Sequence, residues 1–270
     1  MTTLTALLGV VLACSDPTGV QPAGGTHEPP PDSTPSTTQV GFVPRTVVES
    51  GTTYKYQVFV PHGYDAKKKW PLILYLHGNG ERGSDGELQT RVGLGPAVRA
   101  QEATFPAIVL FPQVPLGEGA HQIMIRLAND VLAAALRDYN VDPTRIYLTG
   151  VSMGAIWGWD LPLADPARFA AIVPVSGGVC IACFTGDPSS DPAPVYASIA
   201  TKLRSEPVWI FHGSADQAAP VTVDRALVQA FKDAGAPDIR YTEYAGMDHN
   251  VWDRAYAEPT LWTWLFAKHR

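Results

Sequence analysis

Ser152 sits in Gly150-Val151-Ser152-Met153-Gly154, after a run that reads as a strand (Arg145 to Thr149) and before a stretch that reads as a helix from Met153 onward. A serine with glycine two residues away on each side fits a sharp strand-to-helix turn, where the chain packs so closely that larger side chains would clash. Such a turn presents the hydroxyl for attack on a carbonyl carbon. The hydroxyl is a weak nucleophile until a base removes its proton. Downstream lie His212, His249 and His269. His269 is next to the last residue, and His212 reads as the end of a strand. His249 lies in a loop of small and polar residues, Ala245-Gly246-Met247-Asp248-His249-Asn250, after a strand from Arg240 to Tyr244, and is the expected base. A third group must hold the imidazole and stabilise its charged form. Asp216, just past the strand Val208 to Phe211, is the candidate; Asp248 and Asp253 are its rivals. The tetrahedral intermediate would also need N–H donors. The backbone of Met153 should supply one. The loop His77-Gly78-Asn79-Gly80-Glu81-Arg82-Gly83 should supply the other, from Asn79 or else Gly80. His77 itself reads as a structural histidine.

Those residues need a scaffold that brings distant loops together. Short apolar runs alternate with helical patterns: Thr53 to Val60, Pro71 to Leu76, Ala107 to Phe111, Arg145 to Thr149, Ala170 to Val175, Val208 to Phe211 and Arg240 to Tyr244 read as strands. Ile123 to Tyr139, Val221 to Ala234 and Leu261 to Lys268 read as helices. Continuous apolar runs such as Pro-Leu-Ile-Leu-Tyr-Leu suit strands buried on both faces. The alternation implies an α/β fold, a mainly parallel central sheet with helices on both faces, whose site forms at the carboxyl ends of the strands.

Composition narrows the function classes. Apolar residues make up 46%, enough for a full core. A net charge of −6 leaves no basic surplus to neutralise phosphates, so no nucleic-acid partner is expected. Lys67 to Lys69 reads as a solvated turn.

The first 14 residues read as an export signal. Leu4 to Ala13 is apolar but too short to span a bilayer, and Val11-Leu12-Ala13-Cys14 resembles a bacterial lipobox, which would place a lipid on Cys14 and attach the chain to a membrane. Simple secretion and a cytoplasmic protein are the alternatives; the first two readings are extracytoplasmic. Residues 15–40, rich in Pro, Thr, Ser and Gly, read as a flexible tether, and residues 41–270 as one catalytic domain. Cys180 and Cys183 are expected to form a local disulfide bracing a loop, with two free thiols as the alternative. No metal site is expected. Trp252, three residues after His249, and Gly80 are candidates for the substrate pocket. Core packing is expected for Trp157 and Trp159.

Taken together, Leu76-His77-Gly78-Asn79-Gly80-Glu81-Arg82-Gly83, Val141 to Gly150, Ser152-Met153-Gly154, Pro174-Val175-Ser176-Gly177-Gly178 and His249-Asn250-Val251-Trp252-Asp253 resemble the α/β-hydrolase esterases related to polyhydroxybutyrate depolymerases and feruloyl esterases. Some members of that group are labelled peptidases. The resemblance runs from about Tyr54 to Tyr256. It implies a Ser/Asp/His esterase without cofactor, in a group with several substrate types; short-acyl or aryl (feruloyl-type) esters, small or polymeric, are the expected class. The sequence departs from the group at Ala155, where a second glycine is usual. A serine peptidase of the same fold, or an inactive surface binding lipoprotein, are the competing readings.

Overall fold

The computed structural model describes residues 39–270. The expected export signal, Cys14 and residues 15–38 of the expected tether lie outside the described residues.

The apolar runs become the centre of an eight-stranded sheet. In chain order, β1 is Gly41–Glu49, β2 Thr52–Val60, β3 Trp70–Leu76, β4 Ile108–Pro112, β5 Val141–Val151, β6 Ala171–Val175, β7 Val208–Gly213 and β8 Ile239–Tyr244, arranged β1-β2-β4-β3-β5-β6-β7-β8. From β4 to β8 every neighbour is parallel; β1 and β2 are antiparallel additions at one edge. The parallel strands are buried along most of their length because helices cover both faces.

One face is closed by α2 (Ala120–Asp138), α6 (Ala193–Leu203) and α7 (Val221–Asp233). They bury residues such as Val131, Ile199 and Phe231 against Leu72, Leu148 and Ile210. On the other face, α1 (Leu94–Ala100), α8 (Trp252–Tyr256) and α9 (Leu261–Phe266) pack Val98, Tyr256 and Leu265 against Tyr75, Tyr147 and Phe211. Successive side chains of a strand point to opposite faces, so one run of apolar residues serves both cores. Three short helices, α3 (Met153–Trp157), α4 (Asp160–Ala164) and α5 (Ile181–Thr185), follow β5 and β6.

The structure adds elements that the sequence patterns do not announce, β1, α1, α5, α6 and α8 among them. β1 has no simple alternation and carries Pro44; it is tolerated because β1 is an edge strand, with no second ladder to supply. α1 and α6 lie between the runs that the sequence marks as strands and helices. α1 is only seven residues long with Pro96 inside it, whereas α6 buries Val195, Tyr196, Ile199, Ala200 and Leu203 along one face. No helix among the described residues is long and apolar enough to cross a membrane.

Candidate active site

β5 delivers Ser152 at its carboxyl end. Ser152 has φ +50° and ψ −119°, backbone that a non-glycine residue rarely adopts and that costs about 1–3 kcal/mol. Hydrogen bonds over-determine it: Ser152 N–H donates to the Val175 carbonyl, and Ile156 N–H donates to the Ser152 carbonyl, each at 2.9 Å. The flanking glycines are required by close backbone approach. A Cβ on Gly154 would fall 2.2 Å from the Leu76 carbonyl oxygen, and one on Gly150 would fall 2.8 Å from the Gly154 carbonyl. The turn therefore presses β3, β5 and α3 together around the serine.

His249 comes from the loop after β8. Its Nε2 is 2.8 Å from Ser152 Oγ, and its Nδ1 is 2.7 Å from Asp216 Oδ2. A carboxylate only accepts, so Nδ1 donates to Asp216 and Nε2 is left to accept from the Ser152 hydroxyl. The sequence rivals to Asp216 do not bond the ring. Asp248 Oδ1 instead accepts from the backbone N–H groups of Gln217 and His249, tying this loop to the one after β7. Gly213 lets the loops meet: a Cβ there would fall 2.3 Å from the Asp248 carbonyl oxygen. Asp253 lies in the first turn of α8.

Asp216 is buried. Its Oδ1 accepts from the Ala218 and Ala219 amides, each at 2.8 Å. Burial pushes its carboxyl up, but the Ala219 amide, the His249 ring and the Ala218 amide together hold it below the usual carboxylate range. Asp216 is thus a fixed anion behind the imidazole.

The loop after β3 lies against the nucleophile. A Cβ on Gly78 would sit 3.6 Å from Ser152 Cβ and 2.9 Å from Glu81 Oε2. Asn79 and Gly80 open a single 3-10 turn, Asn79–Glu81, and both are exposed. His77 holds the start of this loop. Its Nδ1 is 2.6 Å from the Gly78 carbonyl, and its Nε2 accepts from Val114 N–H at 3.0 Å. Burial, with the Arg82 charge adding to it and the Gly78 carbonyl opposing, brings the His77 pKa down to about 4. The ring is therefore neutral, with its hydrogen on Nδ1. A trans peptide directs its C=O and N–H to opposite sides, so clamping the Gly78 carbonyl sends the Asn79 N–H away from His77. Arg82 bonds the carbonyls of Pro115 and Gly117, not Glu81. Gln113, which drew no notice in the sequence, is buried and bonds Glu81 O, Asp85 and Gly86. Met153 occupies the first position of α3, where a helical N–H has no intrahelical acceptor.

Beside the imidazole, the Trp252 ring meets the His249 ring edge-on, with centroids 5.6 Å apart. Trp159 is buried and donates to the Gly178 carbonyl. Trp157 is only half-buried and stacks on His121. Cys180 and Cys183 are joined by a disulfide at the start of α5. Among the described residues, no group of three or more His, Cys, Asp or Glu side chains could hold a metal ion.

No protein-family model matches the chain. In sequence it is similar to the poly(3-hydroxyalkanoate) depolymerase C of Paucimonas lemoignei, 25% identical over 240 residues that cover 76% of this chain and 55% of that protein. Among solved structures it is similar to a thermostable esterase, 30% identical with a TM-score of 0.71, over 85% of this chain and 63% of that one. It is also similar to the feruloyl esterase module from Clostridium thermocellum, 20% identical with a TM-score of 0.63, over 80% of this chain and 85% of that one. The chain spans between half and two thirds of the first two relatives' own length. With the sheet order described above, these likenesses give the chain the α/β-hydrolase fold.

Proposed function

We propose that this α/β-hydrolase chain is a serine carboxylic-ester hydrolase that works by two-step acyl transfer. The observation that carries the reading is the unbroken line from Ser152 Oγ through both nitrogens of His249 to Asp216. Ser152 attacks the ester carbonyl as His249 Nε2 takes its proton, and Asp216 stabilises the imidazolium. The N–H groups of Met153 and Asn79 receive the oxyanion. His249 then protonates the leaving alcohol, and water releases the acid by the same steps in reverse.

Similarity to an esterase and to a polyester depolymerase supports ester substrates. Short-acyl and aryl esters of the feruloyl type, free or polymeric, are the classes to test, with Gly80 and Trp252 at the rim of the pocket. An extracytoplasmic location belongs to the same proposal, supported by the lipobox-like run ending at Cys14 and by a disulfide of the kind an oxidising compartment sustains. The test is hydrolysis of nitrophenyl esters of increasing acyl length, methyl ferulate and aminoacyl nitroanilides by the purified chain. Turnover of esters above amides supports the proposal. Turnover of amides alone would replace it with a peptidase.

A further inference from the structure

The hydrogen-bond line does not stop at Asp216. Asp216 Oδ2, which accepts from His249, also lies 3.0 Å from Nε2 of His212. The other nitrogen of His212, Nδ1, lies 2.6 Å from Oδ2 of Asp224. His212 ends β7 and Asp224 is in the first turn of α7; they are 0% and 1% exposed. An imidazole is thus sealed between two carboxylates, directly behind the acid of the site.

The protons of this unit are constrained. Nε2 of His212 also lies 2.9 Å from the Ala219 carbonyl oxygen, which can only accept, so Nε2 carries a hydrogen. Nδ1 and Asp224 Oδ2 then share one further proton. On the ring, it makes His212 an imidazolium; on Asp224, it leaves the ring neutral. Burial works against the charged ring, but the hydrogen bond and charge of Asp224, the Ala219 carbonyl and Asp216 outweigh it and raise the His212 pKa. Asp224 Oδ1 is buried with no hydrogen-bond partner among the described residues, so among those residues His212 alone hydrogen-bonds this side chain. The other titratable groups facing the unit are Glu243 and Tyr241 from β8 and Tyr196 from α6. Glu243 is already engaged by Arg225 and Tyr241, which leaves Asp224 as the carboxylate at Nδ1.

We propose that His212 and Asp224 are positioning residues that extend the site inward into a five-residue chain, Ser152–His249–Asp216–His212–Asp224, whose last three members are buried and in which protonated His212 pins the Asp216 side chain and keeps its carboxylate ionised. The inference rests on the proposed function, in which Asp216 serves His249. The positive charge on His212 stands two hydrogen bonds from His249 and opposes its protonation. Without that charge, Asp216 draws a proton onto His249 more strongly, and the base becomes active only at higher pH.

Two measurements test this. Long-range 1H–15N spectra of the ring nitrogens need no substrate. In the wild-type chain, both nitrogens of His212 should carry hydrogen across about pH 5 to 8, the window in which a free imidazole loses its charge. In Asp224→Asn, which keeps the volume and can donate to Nδ1, His212 should show the neutral pattern with hydrogen on Nε2 alone. The second measurement is the pH profile of kcat/KM on nitrophenyl acetate. Its acid limb should move to higher pH by about 1 pH unit in Asp224→Asn, the size expected for a nearby charge partly screened by its partner. It should move the same way in His212→Gln. A neutral His212 in the wild-type chain, or an acid limb unmoved in a folded Asp224→Asn, would overturn the inference. Failure to hydrolyse any ester would count against the proposed function instead, and the ring spectra would still decide the charge of His212.

Discussion

A Cβ added to Gly177 would fall 2.6 Å from the Cβ of Ala155. Ala155 is the one departure from the usual glycine after the serine turn, and Gly177, just past β6, leaves room for its methyl group. The pair predicts a coupled effect. Gly177→Ala alone should destabilise the fold by about 1–3 kcal/mol through overpacking. Adding Ala155→Gly should restore most of the loss, because the two methyl groups then no longer compete. Urea unfolding of the four members of the double-mutant cycle measures the coupling. Additive effects would show that the two positions do not press on each other.

The glycines of the site should not be equivalent. Gly154 faces the backbone of Leu76 and His77, which cannot swing aside, whereas Gly80 has nothing within 4 Å of an added Cβ. Gly154→Ala should therefore cost more than about 3 kcal/mol or prevent folding. Gly80→Ala should stay within about 0.5 kcal/mol of wild type, as surface changes do. Thermal unfolding followed by circular dichroism separates the two outcomes.

His77 makes stability depend on acid. Its folded pKa of about 4 lies below the ordinary 6.5, so the unfolded chain binds a proton that the folded chain refuses. Its contribution is full above pH 6.5 and is lost as pH falls from there towards 4. The loss amounts to about 3 kcal/mol over that window. Urea unfolding free energies near both ends of the window should show the drop, and His77→Gln should flatten it. An unchanged slope in that variant would assign the acid sensitivity to other groups.

The two aspartates beside His249 should separate by role. Asp216→Asn keeps the shape but loses the charge and the right tautomer of the base, and kcat should fall on the order of 10⁴-fold. Asp248 holds only backbone N–H groups, so Asp248→Ala should loosen the loop and lower kcat by about tenfold, the effect of roughly 1.4 kcal/mol on the barrier. Steady-state kinetics of both variants on one ester checks the order; equal losses would contradict it.

The part of the site set by local backbone demands was legible in the sequence. The serine turn needs glycine at fixed offsets, and the long apolar runs could only be buried strands. Asp216 and His249 followed because each lies just beyond a strand end, on the face where the loops gather. His212 and Asp224 were not legible as a pair. His212 reads as a strand-end histidine, nothing in the sequence singles out Asp224, and only the packing of α7 against β7 brings them to 2.6 Å. His77 was legible as structural, but not the peptide it clamps, because that depends on Val114 arriving from a different strand end. β1 was missed because edge strands need not show the apolar pattern of central ones.

The most direct test of the central claim compares wild type with Ser152→Ala on a panel of nitrophenyl esters, after both are shown to fold alike by circular dichroism. Wild type should turn over at least one ester, and Ser152→Ala should lose on the order of 10⁵- to 10⁶-fold in kcat, as when a triad nucleophile is removed. Equal ester turnover by the two proteins would remove Ser152 from the chemistry and the account with it.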